Sequence, residues 1–117
     1  VELANRIKKR MNLISVRVIG APQKIVKRIG LPWGGLGLSI NAGFVHRLLE
    51  YNVDCLIAGE TDEYVMQAIS DVGVSLIETS HVESENIGLK HFADILSKSF
   101  PKFKTVFFKN QRLWNSF

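Results

Sequence analysis

The chain has 117 residues, of which 46% are hydrophobic and 22% are charged, and its formal net charge is +4. This length and apolar fraction fit one folded domain with a hydrophobic core and exclude an intrinsically disordered chain. The single cysteine, Cys55, excludes an internal disulfide framework, and the lack of a long apolar run or signal peptide favours a cytoplasmic protein without a membrane span.

The first 33 residues predict one helix and two strands. Leucine, isoleucine and methionine recur at intervals of four over residues 2–11, as on the apolar side of an amphipathic helix. Alternating valines predict a strand over residues 15–20, and β-branched residues predict a second strand over 24–33, which Pro32 ends. We expect these two strands to be antiparallel neighbours in the sheet.

The centre of the chain alternates between helical and strand patterns. The predicted elements are a helix over residues 40–51 with Ser39 as its N-cap, a buried strand over 53–58, a helix over 62–72 capped by Thr61 or Asp62 and ended by Gly73, and a strand over 74–79. Strands that alternate with helices in this way favour crossover connections and a parallel sheet.

The last part of the chain predicts a helix over residues 84–100, which Pro101 ends, and a closing strand over 105–109. This helix is expected to turn five apolar side chains inward: Ile87, Leu89, Phe92, Ile95 and Leu96. Together the elements predict an α/β fold with a mixed, largely parallel sheet flanked by helices, in a single domain over residues 1–117.

In an open α/β sheet the ligand crevice lies beyond the carboxyl ends of the strands. Three loops leave such ends here, over residues 32–39, 59–62 and 80–85. The last two loops lie within residues 48–89, a stretch with nine acidic residues and no Lys or Arg. This excess of carboxylates suits a divalent cation, although most of the acids are expected to be solvated on helix faces.

Glycines dominate the first of the three loops. Backbone amides at a strand-to-helix turn can bind an anion, but Ile40 stands where the dinucleotide fingerprint needs its third glycine, and no phosphate-loop Gly-Lys-Ser/Thr follows. A tight turn with positive φ is therefore the favoured interpretation. Gly35 and Gly37 are possible site-lining residues.

Glu60 lies in the second loop, directly after a buried strand. A strand end at this position delivers a side chain into the crevice, so Glu60 is a possible site-lining residue. Its neighbours Thr61 and Asp62 are more simply explained as helix caps.

The third loop contains His81 and, four residues later, Glu85. If a helix begins there, the two side chains share one face. Imidazole and carboxylate together suit Zn, Mn or Fe, and a carboxylate can bridge two ions. Two alternatives remain open: Ser80 and Glu83 have the spacing of a capping box, and a His–Glu pair is a common surface hydrogen bond.

Two motifs, separated by one helix and one strand, resemble those of the NIF-three-like dinuclear-metal family, whose members are often described as type 2 GTP cyclohydrolase I homologues. Residues 58–60 (AGE) are similar to the family's Thr-Gly-Glu or Thr-Gly-Asp at a strand end. Residues 80–85 (SHVESE) are similar to Gly-His-Tyr/His-x-Ser/Thr-Glu and depart from it at Ser80 and Val82. The resemblance covers nearly the whole chain, but only the C-terminal half of the family's proteins.

The resemblance implies that His81 and Glu85 are ligands of a divalent ion, namely Zn, Fe or Mn. In the family the remaining ligands, a His-His pair and an Asp, come from an N-terminal half without a counterpart here. Two ions could therefore bind only if another chain or a missing half completed the site. The resemblance also implies a toroidal or dimer-based homo-oligomer.

Three accounts of the chain follow from this comparison: a fragment of a longer protein, a short member that borrows ligands across a subunit interface, or a degenerate member without catalysis. The first residue is Val1 rather than Met, which favours a fragment or a trimmed chain.

Three functions are compatible with these features. The first is that of a metal-dependent hydrolase (GTP cyclohydrolase-like) or part of one, in which the cation activates water. The second is that of a non-catalytic oligomeric interaction or regulatory domain with a degenerate metal site and a protein partner. The third is nucleic-acid binding through the basic residues between positions 6 and 28.

Overall fold

The computed structural model describes residues 1–32, 34–35, 42–111 and 113. The elements within these residues are, in chain order, α1 (Glu2–Arg10), β1 (Arg17–Ile19), β2 (Ile29–Gly30), α2 (Ala42–Glu50), β3 (Cys55–Ala58), α3 (Glu63–Asp71), β4 (Ser75–Glu78) and α4 (His81–Ser99). Gly37, the proposed cap Ser39 and the predicted start of the second helix lie outside the described residues, as does Trp33.

The four strands form one sheet in the order β1-β4-β3-β2. The strands β2, β3 and β4 are parallel, and α2 and α3 connect them as the sequence predicted. Only β1 runs antiparallel, beside β4. The predicted α/β fold, with a mixed, largely parallel sheet flanked by helices, is confirmed.

The two faces of the sheet bury different helices, because successive strand residues point to opposite sides. On one face, Leu56 and Leu76 pack with Val45 of α2 and Ile69 of α3. On the other face, α1 packs through Ala4 and its partly buried neighbours. Each large side chain buried in this way stabilises the fold by about 1.5–3 kcal/mol.

The start and end of α3 follow the predicted signals. The Asp62 carboxylate caps the helix by accepting a hydrogen bond from the Val65 N–H over 2.8 Å. Beyond the other end, Gly73 adopts a φ of +71°, a left-handed conformation that favours glycine.

The prediction that the first two strands are antiparallel neighbours was wrong, because β1 and β2 lie on opposite edges of the sheet. The Asp54 carboxylate accepts hydrogen bonds from the N–H groups of Lys27 and Arg28, which holds the segment before β2 against the start of β3. On the other edge, Arg17 faces Glu78 across the β1–β4 pair. The local sequence pattern identifies a strand, but contacts between residues that are distant along the chain determine which strand it pairs with.

The helix α4 begins at His81, three residues earlier than predicted, and its apolar side is not inward. Leu96 is partly buried, but the other four predicted core residues are exposed: Ile87, Leu89, Phe92 and Ile95. A periodic pattern locates an apolar helix face without showing what packs on it. Of the helices in the described part of the chain, none combines the length and apolarity needed to cross a membrane.

The predicted closing strand over residues 105–109 was also wrong, because no sheet strand forms there in the described part of the chain. The end of this segment is instead hydrogen-bonded to α4 through the buried side chain of Asn86. The Asn86 carboxamide donates to the Asn110 carbonyl over 2.9 Å and accepts the Asn110 N–H over 3.1 Å. This pair of bonds imitates one step of a strand ladder.

Candidate metal site at the carboxyl ends of the parallel strands

Three loops meet where the parallel strands end. Gly35 forms a parallel bridge with Glu60, whose N–H donates to the Gly34 carbonyl over 2.9 Å. On the other side, the Ser80 N–H donates to the Gly59 carbonyl over 2.7 Å. The described parts of the three loops that the sequence predicted at the ligand crevice are therefore hydrogen-bonded neighbours.

His81 lies between two carboxylates on this surface. Its Nδ1 is 2.9 Å from Oε2 of Glu60, and its Nε2 is 2.8 Å from Oε1 of Glu85. All three side chains are partly exposed to solvent. Glu85 reaches the ring because four residues along a helix return to the same face, and Glu60 reaches it because β3 and β4 are parallel neighbours.

Both ring nitrogens of His81 face a carboxylate oxygen, which a neutral imidazole cannot satisfy at both nitrogens. A neutral imidazole carries one N–H and one bare nitrogen lone pair, so only one of the two carboxylates can accept a hydrogen bond from it. The other contact is favourable only with a second proton or with a metal ion in the proton's place. The hydrogen bond to Glu60 and, more weakly, that to Glu85 raise the pKa of the His81 imidazole against the opposing effect of partial burial.

The chain enters α4 through a strained residue. Ser80 has a φ of +93° and a ψ of 132°, a conformation that non-glycine residues rarely adopt. Its side chain makes no capping hydrogen bond to the helix, so the capping-box alternative is wrong for Ser80. The strained turn is tied to the end of β3, because both the N–H and the hydroxyl of Thr79 donate to the Ala58 carbonyl.

Glycines line the other side of the site. Gly34 has a φ of +59°, which confirms the predicted tight turn, and a Cβ atom there would lie 2.9 Å from Oε1 of Glu85. A Cβ atom at Gly35 would lie 3.2 Å from the His81 ring. Side chains at these two positions would clash with His81 and Glu85, so the glycines leave the space that this pair occupies.

A second polar network holds the loop that carries Glu60. Glu78 accepts from Nε of Arg17 at 2.8 Å and from Nη2 at 2.7 Å. The same carboxylate accepts from the backbone N–H of Thr61 at 2.9 Å and from its hydroxyl at 2.6 Å. Only 11% of the Glu78 side chain is exposed. Glu78 therefore joins β1, β4 and the residue that follows Glu60.

No sequence motif marks Arg17 or Glu78 as a site residue. An available signal was their opposite charge on two predicted strands, since charged residues directly opposite each other stabilise an antiparallel pair. This pairing follows only once β1 is known to lie beside β4, whereas the sequence pattern predicted β2 as its neighbour.

The two networks border one cavity of about 630 Å³. Its charged lining consists of Arg17, Glu60, Glu78, His81 and Glu85, and Leu113 of the C-terminal segment also contributes. Three carboxylates thus face one guanidinium and one imidazole. A cation in the cavity would reduce the repulsion between Glu60 and Glu85.

The donor set fits a divalent cation as part of a ligand set. Imidazole nitrogen and carboxylate oxygen are ordinary ligands of Zn, Fe and Mn. The two ring nitrogens of His81 point in different directions. An ion bound to one of them can therefore also bind only the carboxylate on that side, either Glu60 or Glu85. Across residues 1–32, 34–35, 42–111 and 113, no three His, Cys, Asp or Glu side chains are arranged to hold one ion.

Several solved structures share this fold. Two structures of the Staphylococcus aureus protein SA1388 have TM-scores of 0.71 and 0.72 at 23% identity and cover 86% and 90% of this chain. A Bacillus cereus protein related to NIF3 has a TM-score of 0.73 at 16% identity and covers 86%. The Thermus thermophilus protein TTHA1606 has a TM-score of 0.67 at 20% identity and also covers 86%. Identities this low show a common fold alone.

These neighbours are much longer proteins. This chain covers 31% and 28% of the two Staphylococcus aureus chains, 26% of the Bacillus cereus chain and 38% of the Thermus thermophilus chain. It therefore spans less than two fifths of the length of each.

A comparison with curated proteins gives no match. The family model for Duf34/NIF3 (NGG1p interacting factor 3), by contrast, matches residues 1–112, nearly the whole sequence. The chain belongs to the Duf34/NIF3 family.

Proposed function

We propose that the chain binds a divalent cation through Nε2 of His81 and a carboxylate oxygen of Glu85, with Glu60 holding the imidazole in place. The observation that carries this proposal is the position of His81 between two carboxylates at 2.8 and 2.9 Å. Ligating histidines commonly donate their other N–H to a carboxylate, which fixes the tautomer and the ring orientation. Glu60 has that position at Nδ1.

The cation is Zn, Fe or Mn, in keeping with the nitrogen and oxygen donors. Two protein ligands leave a metal site incomplete, since three or four are usual for zinc. We propose that another chain or a further part of a longer polypeptide supplies the rest and allows a second ion. The short span of this chain relative to its structural neighbours supports that view.

The activity that fits such a site is that of a metal-dependent hydrolase, GTP cyclohydrolase-like, or part of one. A bound divalent cation would lower the pKa of water and polarise a carbonyl or phosphate group. Within the cavity, Glu60 would keep His81 oriented and Arg17, fixed by Glu78, would offer a cationic edge to an anionic group of the substrate. We place this activity in the cytoplasm, where the lone Cys55 would stay reduced.

Metal titration tests the proposal without an assay of activity. Purified chain would be titrated with Zn²⁺ and Mn²⁺ by calorimetry, and its bound metal measured by elemental analysis. We expect binding in the wild type, loss of binding in His81→Ala, and unchanged binding in His91→Ala, an exposed histidine elsewhere on α4. The same metal content in wild type and His81→Ala would refute the proposal.

A second candidate is a non-catalytic interaction or regulatory domain with a degenerate metal site. The observation that favours it is the exposed apolar side of α4. This candidate predicts a stable homo-oligomer in the absence of metal. A monomer that assembles only on addition of metal would count against it.

A further inference from the structure

A second cleft lies between α1 and the sheet, on the face opposite α2 and α3. Its volume is about 530 Å³, within the roughly 300–1,000 Å³ that is typical of small-molecule sites. Cys55 and Ser75, the first residues of β3 and β4, are register partners and line its base. This cleft, called the α1 cleft below, therefore lies at the amino ends of the parallel strands, whereas the candidate metal site lies at their carboxyl ends.

The walls of the α1 cleft are largely apolar. The helix α1 contributes Leu3 and Ala4, the strands contribute Val18 and Ile77, and the segment between β1 and β2 contributes Val26. Val18 is 45% exposed, although Ile77, its register partner on the same face of the sheet, is 4% exposed. The cleft therefore leaves apolar surface that a ligand can cover, and removing that surface from water favours binding of an apolar chain.

The Ser75 hydroxyl at the base of the cleft lacks a hydrogen-bond partner among the residues that the structure describes, although Ser75 is only 7% exposed. Its backbone N–H donates to the Asp54 carbonyl, so the side chain alone is unsatisfied. A Cβ atom at Gly20 would clash with this hydroxyl, so the glycine keeps the space beside it open. Because a buried polar group without a partner is costly, a ligand oxygen that bonded to Ser75 would gain affinity.

The charged side chains that line the α1 cleft are mostly cationic. Arg6 and Lys24 line it, against one acidic residue, Glu2. The Lys24 ammonium donates to the Gly73 carbonyl over 2.6 Å, which holds it close to the start of β4. An ammonium group has three N–H donors, so Lys24 has two more to offer. An anionic group beside Ser75 would therefore gain a hydroxyl donor and a nearby cation.

We propose that the α1 cleft binds a small organic carboxylate with an apolar chain, of the medium-chain fatty acid class. The carboxylate accepts a hydrogen bond from the Ser75 hydroxyl and pairs with the Lys24 ammonium, and the chain lies against Val18 and Ile77 beneath α1. Charge pairing and apolar burial both contribute, so neither a short anion nor an uncharged chain should bind as well. The site uses neither metal nor His81 and is independent of the proposed metal centre.

Calorimetric titration of the purified chain with decanoate tests this proposal. We expect decanoate to bind, decanol to bind at least about tenfold more weakly because it lacks the charge, and acetate to show no binding because it lacks the chain. Decanoate should shift the amide NMR signals of Val18 and Ser75 rather than those of His81 or Phe92. No binding at about 1 mM decanoate, or signals shifted only at the candidate metal site or on the exposed side of α4, would overturn the proposal.

Two substitutions separate ligand binding from folding. Ser75→Ala should weaken decanoate binding about tenfold but leave the unfolding temperature of the free chain unchanged or higher, because an unpartnered hydroxyl adds no hydrogen bond to the fold. Lys24→Gln should weaken decanoate binding by a similar factor. The matched control is Lys27→Gln, an exposed lysine that does not line the cleft. Unchanged decanoate affinity in both Ser75→Ala and Lys24→Gln would overturn the proposal, whatever the stability of the two variants.

Discussion

Arg17 and Glu78 face each other across the only antiparallel pair of the described sheet, and both ends of the contact are hydrogen-bonded, Nε to Oε1 at 2.8 Å and Nη2 to Oε2 at 2.7 Å. This fork geometry is stronger and more directional than a single ion pair. Because the same carboxylate holds Thr61, the contact couples the edge strand to the loop that carries Glu60. The outer strand therefore helps to position the candidate metal site.

We expect Glu78→Gln to lower the free energy of unfolding by about 1–3 kcal/mol, because the mostly buried Glu78 side chain loses its charge and one of the two oxygens that accept hydrogen bonds from Arg17 and Thr61. The control is Asp94→Asn, which breaks the exposed Lys90–Asp94 pair and should cost less than about 0.5 kcal/mol. Urea denaturation of both variants measures the difference. Equal losses would contradict the structural role of Glu78.

Glutamine substitutions should separate the ligand from the orienting carboxylate. We expect Glu60→Gln to weaken metal binding about tenfold to a hundredfold, the usual effect of losing a group that supports a ligand. Glu85→Gln should weaken it further, because it removes a proposed ligand. Glu50→Gln, an exposed acid on α2, is the control. If Glu60→Gln cost more than Glu85→Gln in calorimetric titrations, the two roles would have to be exchanged.

The Asp54 carboxylate predicts a pH dependence at the other edge of the sheet. Hydrogen bonds from the Arg28 and Lys27 N–H groups lower the pKa of Asp54 below its usual 3.8. A lowered pKa in the folded state contributes stability that is present above the unfolded value and is lost as pH falls through the folded value.

Asp54→Asn should therefore destabilise the protein at pH 7, and the difference from wild type should shrink as the pH falls below 3.8. Unfolding in urea at several pH values measures this difference. A difference that stayed constant down to pH 2.5, about one unit below the usual aspartate range, would exclude the carboxylate charge as its cause.

The backbone strain at Ser80 predicts a stabilising substitution. Ser80→Gly should raise the free energy of unfolding by about 1 kcal/mol, since glycine tolerates the positive φ and no capping bond is lost. Gly73→Ala is the reverse test: its Cβ would meet nothing, so strain alone should cost about 1–2 kcal/mol. Thermal unfolding measures both changes. A Ser80→Gly variant less stable than wild type would show that the hydroxyl has a role of its own.

The sequence predicted those features of the fold that neighbouring residues determine. The crossovers through α2 and α3 followed from periodicity, and Asp62 and Gly73 mark the cap and the end of α3 as expected. The neighbour of β1 could not be predicted in this way, because it depends on Glu78, 61 residues from Arg17 along the chain. The exposure of Phe92 escaped prediction for a related reason: an apolar helix face looks the same in sequence whether it packs inside the chain or against a partner.

In the candidate site, too, some contacts follow from local sequence pattern and others do not. The contact between His81 and Glu85 follows from four residues of helix, and the approach of Glu60 follows from parallel strands whose ends meet. The Glu78 network depends on the side-chain geometry of three separate segments, which no local pattern encodes. The role of His81 and Glu85 as metal ligands stays a prediction that the titrations above address.

Gly59 marks the point where the three loops of the site are packed most tightly. A Cβ atom there would lie 2.5 Å from both the Gly34 carbonyl oxygen and the Ser84 hydroxyl. Any side chain at position 59 must therefore displace the backbone of the glycine turn at Gly34 and the hydroxyl group of Ser84. The loops therefore cannot be redesigned independently of one another. A new metal-ligating residue in one loop would have to preserve the close contact at Gly59, so mutant libraries that vary the site should leave residue 59 unchanged.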